Sequence, residues 1–87
     1  MKRIFLFTTP TCVACKPMKL TLQEIAKERP DISYRELNAW EERELVKIFN
    51  IRSSPTTIIL DDDRLISDIR GVATKEFVLD ALDEVEE

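Results

Sequence analysis

Apolar residues along the chain follow two different spacings, and these predict alternating strands and helices. The run from Lys2 to Thr8 is continuous and rich in branched and aromatic residues, as is typical of a strand buried on both faces. After Thr9-Pro10-Thr11, apolar residues recur at spacings of three and four until about Arg29, which predicts an amphipathic helix. The apolar side of that helix holds Cys15, Met18, Leu22 and Ile25.

Three further strands are expected at 32–37, 56–60 and 65–70. The last two form a hairpin across the polar turn Asp61-Asp62-Asp63, whose spacing does not match a calcium loop. Between the second and third strands, Asn38 and Glu41 fit the N-cap and N3 positions of a capping box. They predict a helix to about Phe49, with an apolar side made of Leu45, Ile48 and Phe49.

A final helix is expected after Thr74, its predicted N-cap, with an apolar side of Phe77, Val78, Ala81, Leu82 and Val85. The element order is therefore βαβαββα. Because a helix joins the first two strands, they run parallel, and the last two are antiparallel. We expect an α/β fold: a three-layer α/β/α sandwich around a four-stranded mixed sheet, formed as a single domain over residues 1–87.

The charge of −4 argues against nucleic acid or an anionic membrane as a partner, since both would repel the chain. The basic start is followed by an apolar run of only four residues, shorter than the roughly 7–15 of a secretory signal. We therefore expect a cytoplasmic monomer. In that compartment a close cysteine pair is typically catalytic or metal-binding.

The two cysteines, Cys12 and Cys15, lie where the first strand ends and the first helix begins. Unpaired N–H groups and the dipole at a helix start favour a thiolate, so the cysteine there ionises more readily than free cysteine. Cys12 is expected to be exposed and nucleophilic, and Cys15 to be shielded. Cys12 would attack a substrate disulfide, and Cys15 would then resolve the mixed disulfide.

Two other interpretations of the pair stay open. The cysteines are small enough to be ordinary core residues of the helix. A structural zinc site needs about four ligands, and the chain has two cysteines and no histidine, so a thiolate site would have to be shared between two chains.

The chain resembles the thioredoxin superfamily. Cys12-Val13-Ala14-Cys15-Lys16 is similar to its active-site motif, and 51–56, Ile-Arg-Ser-Ser-Pro-Thr, is similar to the segment that carries its cis-proline. Gly71 and the helix after it also fit. The resemblance implies a thioredoxin fold and a thiol–disulfide oxidoreductase that reduces protein disulfides and binds no organic cofactor or metal. Electrons would come from a thioredoxin-reductase-like donor or a low-molecular-weight thiol.

The same resemblance implies roles for residues around the cysteines. Pro55 would be cis and lie against the pair, leaving the Ser54 backbone open to pair with an extended substrate segment. Thr11 stands before the first cysteine, where thioredoxins carry tryptophan, and is expected to contact substrate and to cap the first turn. Trp40, elsewhere in the chain, is expected to pack beneath the second helix rather than to anchor partners.

The chain departs from the family at the residues that, by the resemblance, would take the proton from the resolving cysteine. Thioredoxins carry a buried acid at the position of Leu6, and a lysine that partners this acid at the position of Glu36. We therefore expect Glu36 to take part in proton transfer. Glutaredoxins, which are also short, carry a different glutathione motif, so a glutathione-dependent reductase is the alternative, together with a metal-binding or cluster-binding thiol module and a redox-inactive scaffold.

Overall fold

A computed structural model describes residues 1–83 and contains seven elements in the predicted order. The strands are β1 (Lys2–Thr8), β2 (Ser33–Asn38), β3 (Thr56–Asp61) and β4 (Arg64–Arg70). The helices are α1 (Cys15–Glu28), α2 (Arg43–Ile48) and α3 (Lys75–Asp83). The expected position Val85 lies outside the described residues.

The four strands form one mixed sheet in the order β2-β1-β3-β4. β1 pairs in parallel with β2, and β3 pairs antiparallel with β4, as predicted; β1 also pairs antiparallel with β3. In this register Leu6 of β1 lies beside Glu36 of β2 on one side and beside Thr57 of β3 on the other.

Two apolar clusters cover the two faces of the sheet, which confirms the three layers. Ile4 and Leu6 of β1 pack with the buried residues of α1 and α3. Phe7 belongs to the cluster on the opposite face of the sheet, and partly buried residues around α2 pack against that cluster. The predicted stripe of α1 is correct, since Cys15, Met18, Leu22 and Ile25 are all buried. None of the helices in this part of the chain is long and apolar enough to span a membrane.

The start of α2 differs from the prediction. Asn38 is the last residue of β2, paired with Thr8, and its side-chain oxygen accepts the Trp40 N–H at 2.8 Å. The Asn38 side chain therefore closes a turn instead of capping a helix, and α2 begins at Arg43, four residues later than predicted, with Glu42 as its N-cap. The capping-box prediction for Asn38 and Glu41 is wrong.

Two large apolar residues near α2 are also placed differently from the prediction. Ile48 is 70% exposed, and Val46 packs against the cluster together with Leu45 and Phe49. Trp40 is 59% exposed because it lies in the turn before the helix, not beneath it. By contrast, the Thr74 cap is confirmed, since its hydroxyl accepts the Phe77 N–H at 3.1 Å.

Candidate functional site

Cys12 and Cys15 are joined by a disulfide at the end of β1 that leads into α1. Their Cα atoms are 5.4 Å apart. Cys12 is partly exposed, whereas Cys15 is buried with 6% of its surface accessible. The two sulfurs therefore differ in access: an incoming partner reaches Cys12 before Cys15.

Helix α1 begins at Cys15, so Cys12 lies in the turn before it. The Cys12 N–H donates to the Thr9 carbonyl at 3.1 Å, and the Cys15 N–H donates to the Cys12 carbonyl at 3.4 Å. This late start leaves Pro17 in the first turn, where its missing N–H breaks no helical hydrogen bond. Ala14 is the N-cap and no side chain in the described part of the chain caps the helix, so the expected capping role of Thr11 is wrong.

The segment before β3 lies next to the turn that carries Cys12. The Ser54–Pro55 peptide bond is cis, as the resemblance implies, and Pro55 is buried. The hydroxyls of Thr9 and Ser54 are 3.1 Å apart and join this segment to the end of β1. Within residues 1–83 neither the N–H nor the carbonyl of Ser54 is in a backbone hydrogen bond.

Local and long-range hydrogen bonds hold the cis-proline segment, which we define as residues 51–55, and the residue before it. The Gly71 N–H donates to the Pro55 carbonyl at 2.8 Å, and Gly71 has a φ of 88° that an L side chain would rarely adopt. The Thr56 hydroxyl donates to the Ser53 carbonyl at 2.8 Å. Arg70 donates to the Asn50 carbonyl at 3.0 Å, just before the segment, and also pairs with Asp68.

Glu36 lines the same cavity as the two cysteines. This cavity, of about 270 Å³, is lined by Thr8, Thr9, Cys12, Cys15, Lys16, Lys19 and Glu36. The Lys19 ammonium lies 3.5 Å from the Glu36 carboxylate, whose side chain is 34% exposed. The position of the family's buried acid is filled by Leu6, which is fully buried, so the carboxylate of this site is one strand further out.

Of the six predicted site residues, the structure brings together Cys12, Cys15 and Glu36 around one cavity, while Ser54 lines the neighbouring one. Thr11 is exposed in the turn before Cys12 and lines neither of these cavities.

Sequence reasoning missed Thr9, which lines both cavities and contacts Ser54. Its only signal was its place between the strand and the cysteines. Within the described range, no cluster of three or more His, Cys, Asp or Glu side chains is arranged to hold a metal ion.

Comparisons with known proteins agree with this geometry. The Thioredoxin family profile matches residues 2–84. A thioredoxin of Methanocaldococcus jannaschii is 32% identical over 81 residues, covering 92% of this chain and 91% of that protein.

Among solved structures, mitochondrial thioredoxin 3 of Saccharomyces cerevisiae in its oxidised form has a TM-score of 0.84 at 23% identity, covering 97% of this chain and 78% of that one. Thioredoxin from Trypanosoma brucei brucei has a TM-score of 0.84 at 22% identity, covering 98% and 74%. These two structural similarities show the fold, and the family profile and the relative from Methanocaldococcus jannaschii show the family. The chain therefore belongs to the thioredoxin family and is a thiol–disulfide oxidoreductase that cycles between the Cys12–Cys15 dithiol and its disulfide.

Proposed function

We propose that the protein works as a reductant of disulfides in other proteins, with Cys12 as the nucleophile and Cys15 as the resolving thiol. The observation that carries this assignment is the unequal access of the two sulfurs, with Cys12 partly exposed and Cys15 buried. A thiolate at Cys12 is favoured by the N-terminus of α1 and by the charge of the exposed Lys16.

The exchange takes place in two steps. The Cys12 thiolate attacks one sulfur of the substrate disulfide; that S–S bond breaks, and the other substrate sulfur leaves as a thiolate and takes up a proton. Cys15 then loses its proton and attacks Cys12, forming the Cys12–Cys15 bond and releasing the second substrate thiol. Two electrons pass from the dithiol to the substrate, and a thioredoxin-reductase-like protein or a low-molecular-weight thiol must return them.

We propose that Glu36 accepts the proton that Cys15 loses when it attacks Cys12. The support is that both residues line one cavity. A carboxylate is an adequate acceptor when it is within reach directly or through one water molecule, although its ordinary pKa is below the optimum for this task. The Lys19 ammonium, 3.5 Å from the Glu36 carboxylate, holds that carboxylate at the edge of the cavity.

For substrate binding we assign the Ser54 backbone, Pro55 and Thr11. The N–H and carbonyl of Ser54, which make no backbone hydrogen bond within residues 1–83, offer an extended polypeptide the hydrogen bonds of an added strand. We also propose that the protein works in the cytoplasm, where thiols are kept reduced, and cell fractionation with an antibody tests that location.

Reduction of insulin disulfides by the fully reduced protein tests the assignment of the two thiols. Cys12→Ser should abolish reduction, because the attacking sulfur is gone. Cys15→Ser should accumulate a mixed disulfide between Cys12 and the substrate, visible as an added mass that dithiothreitol removes. Insulin reduction by the Cys12→Ser variant at the parent rate would exclude the assigned role of Cys12.

The ionisation of Cys12 is tested separately. The rate of alkylation by iodoacetamide, measured against pH on the reduced protein, should reach half of its maximum well below the pKa of about 8.5 of free cysteine. A midpoint at or above that value would contradict thiolate stabilisation at this position.

A further inference from the structure

The turn before α2 and one side of that helix form an exposed surface that the proposed exchange chemistry does not use. Trp40, Arg43 and Lys47 line a cavity of about 430 Å³ together with Ala39 and Val46. We call these three residues, Trp40, Arg43 and Lys47, the Trp40 face. The indole of Trp40 is the largest apolar group there and is 59% exposed.

This surface is continuous with the thiol site. A second cavity, of about 330 Å³, shares Trp40 with the first and is also lined by Thr9 and Ser54. Thr9 in turn lines the cavity that holds Cys12. A polypeptide lying along the Ser54 backbone with a cysteine at Cys12 therefore has an uninterrupted surface to follow as far as the Trp40 face.

The charged side chains that line these two cavities are cationic, although the chain as a whole is acidic. The first cavity is lined by Arg43 and Lys47 and the second by Arg52, and no carboxylate among residues 1–83 lines either of them. Across residues 1–83 neither Arg43 nor Lys47 forms an ion pair with a carboxylate. Glu41, Glu42 and Glu44 flank these cations along the chain but line neither cavity, so a ligand seated in the cavities meets cations beside an exposed indole.

We propose that the Trp40 face is a docking surface that selects protein substrates carrying acidic residues beside an apolar side chain, on the same chain segment as the reacting cysteine. The apolar side chain packs on the indole of Trp40, and the carboxylates pair with Arg43 and Lys47. This inference rests on the proposed reduction of protein disulfides and adds the class of substrate that the protein favours.

Three disulfide-linked peptide pairs of equal length test the selection. They differ only in two positions beside a leucine, which hold Glu-Glu, Gln-Gln or Lys-Lys, and versions are made with this group at several distances from the cysteine. At low salt, the Glu-Glu peptide at its best distance should have a kcat/KM about 3–10-fold above that of the Gln-Gln peptide, since exposed ion pairs are individually weak. The gain should lie in KM and shrink as salt is added.

Variants identify the residues responsible. Arg43→Gln/Lys47→Gln should remove the preference for the Glu-Glu peptide and leave the rate on the Gln-Gln peptide within about twofold, the scale expected of losing weak exposed pairs. Trp40→Ala should raise KM for both peptides. Lys27→Gln/Arg64→Gln is the matched control, because it makes the same change in net charge at two exposed positions outside the described cavities.

The outcomes separate this inference from the function on which it rests. Equal preference for the Glu-Glu peptide in the parent and the Arg43→Gln/Lys47→Gln variant would overturn the docking surface, as would an equal loss in the control variant. If the parent reduces the small neutral compound hydroxyethyl disulfide and the Gln-Gln peptide but prefers no charge, only this inference fails. If the parent reduces none of these disulfides, the proposed function fails with it.

Discussion

Replacing Leu6 by Asp would place a carboxyl group where other members of the family carry their buried acid, and the structure indicates that this core will resist the change. Leu6 is fully buried and packs among the apolar residues of the α1 and α3 side, including Met18 and Leu22. Losing these contacts costs about 3 kcal/mol, within the range of about 2–5 for large-to-small core changes.

One neighbour reduces the cost. The hydroxyl of Thr57, directly across from Leu6 on β3, is buried without a hydrogen-bond partner within the described part of the chain. It can bond to the new carboxyl and return about 1 kcal/mol. Burial keeps the carboxyl protonated, so relative to an unfolded pKa of about 3.9 the folded state loses up to about 5 kcal/mol at pH 7.5 and about 2 at pH 5.5.

The sign of the pH dependence follows from proton binding. The folded pKa of the introduced carboxyl lies above its unfolded value, so the native state binds the extra proton, and stability falls as pH rises through that window. The total loss of about 7 kcal/mol at pH 7.5 is comparable with the 5–15 kcal/mol of a typical domain. The Leu6→Asp variant should therefore be close to unfolding at pH 7.5, and its free energy of unfolding should be about 2–3 kcal/mol larger at pH 5.5.

Urea unfolding of the oxidised protein at the two pH values measures this difference. The parent is a good reference because it has no histidine to titrate in this range. Leu6→Asn, which matches the size of the aspartate without its charge, should lose a similar amount at both pH values. If Leu6→Asp is equally stable at pH 5.5 and 7.5, or lies within about 1 kcal/mol of the parent, the burial argument for this position is wrong.

Three further changes test other parts of the structure. Glu36→Gln should slow release of the second substrate thiol about 100-fold, the low end for a general base, in stopped-flow measurements of mixed-disulfide decay. Glu24→Gln, which changes another glutamate paired with a lysine, should leave this rate unchanged, and equal rates in the two variants would exclude Glu36. Burial raises the pKa of Tyr34 to about 12, with Glu36 adding to the effect, so the free energy of unfolding of the parent should fall between about pH 10 and 12. In urea unfolding Tyr34→Phe should lack that loss. It should be no less stable than the parent at pH 7, because the hydroxyl it removes has no hydrogen-bond partner among residues 1–83. Met18→Ala should lower the free energy of unfolding by about 2–5 kcal/mol, because Met18 is fully buried and its sulfur accepts the Ala73 N–H at 3.4 Å. Met18→Leu, which nearly keeps the volume, should lower it by less than about 1.5 kcal/mol. Similar losses for the two variants in urea unfolding would contradict the packing argument.

The sheet and the thiol pair were predictable from local patterns in the sequence. The continuous apolar run of β1 and the spacing from Cys15 to Ile25 each fix which side chains are buried, so strand, helix and the unequal access of Cys12 and Cys15 follow together. The late start of α1 was also foreseeable, because Pro17 fits only where a helical N–H is not needed.

The α2 region was mispredicted for a physical reason. An asparagine oxygen can cap a helix or close a turn with equal ease, and pairing between Thr8 and Asn38 decides in favour of the turn. Trp40 is exposed in consequence, against the usual preference of large apolar residues. The contact between Thr9 and Ser54 joins residues 45 positions apart, and no local pattern carries that information.

The hydrogen bonds that hold the cis-proline segment have a consequence for binding kinetics. Since Thr9, Thr56 and Gly71 already hold this segment, and Arg70 holds the residue before it, the protein loses little conformational entropy there when a substrate arrives. The ordering cost of complex formation then falls on the substrate. Disulfides in stretches that are already extended should be captured fastest, and affinity should rank substrates by how rigid they are before they meet the protein.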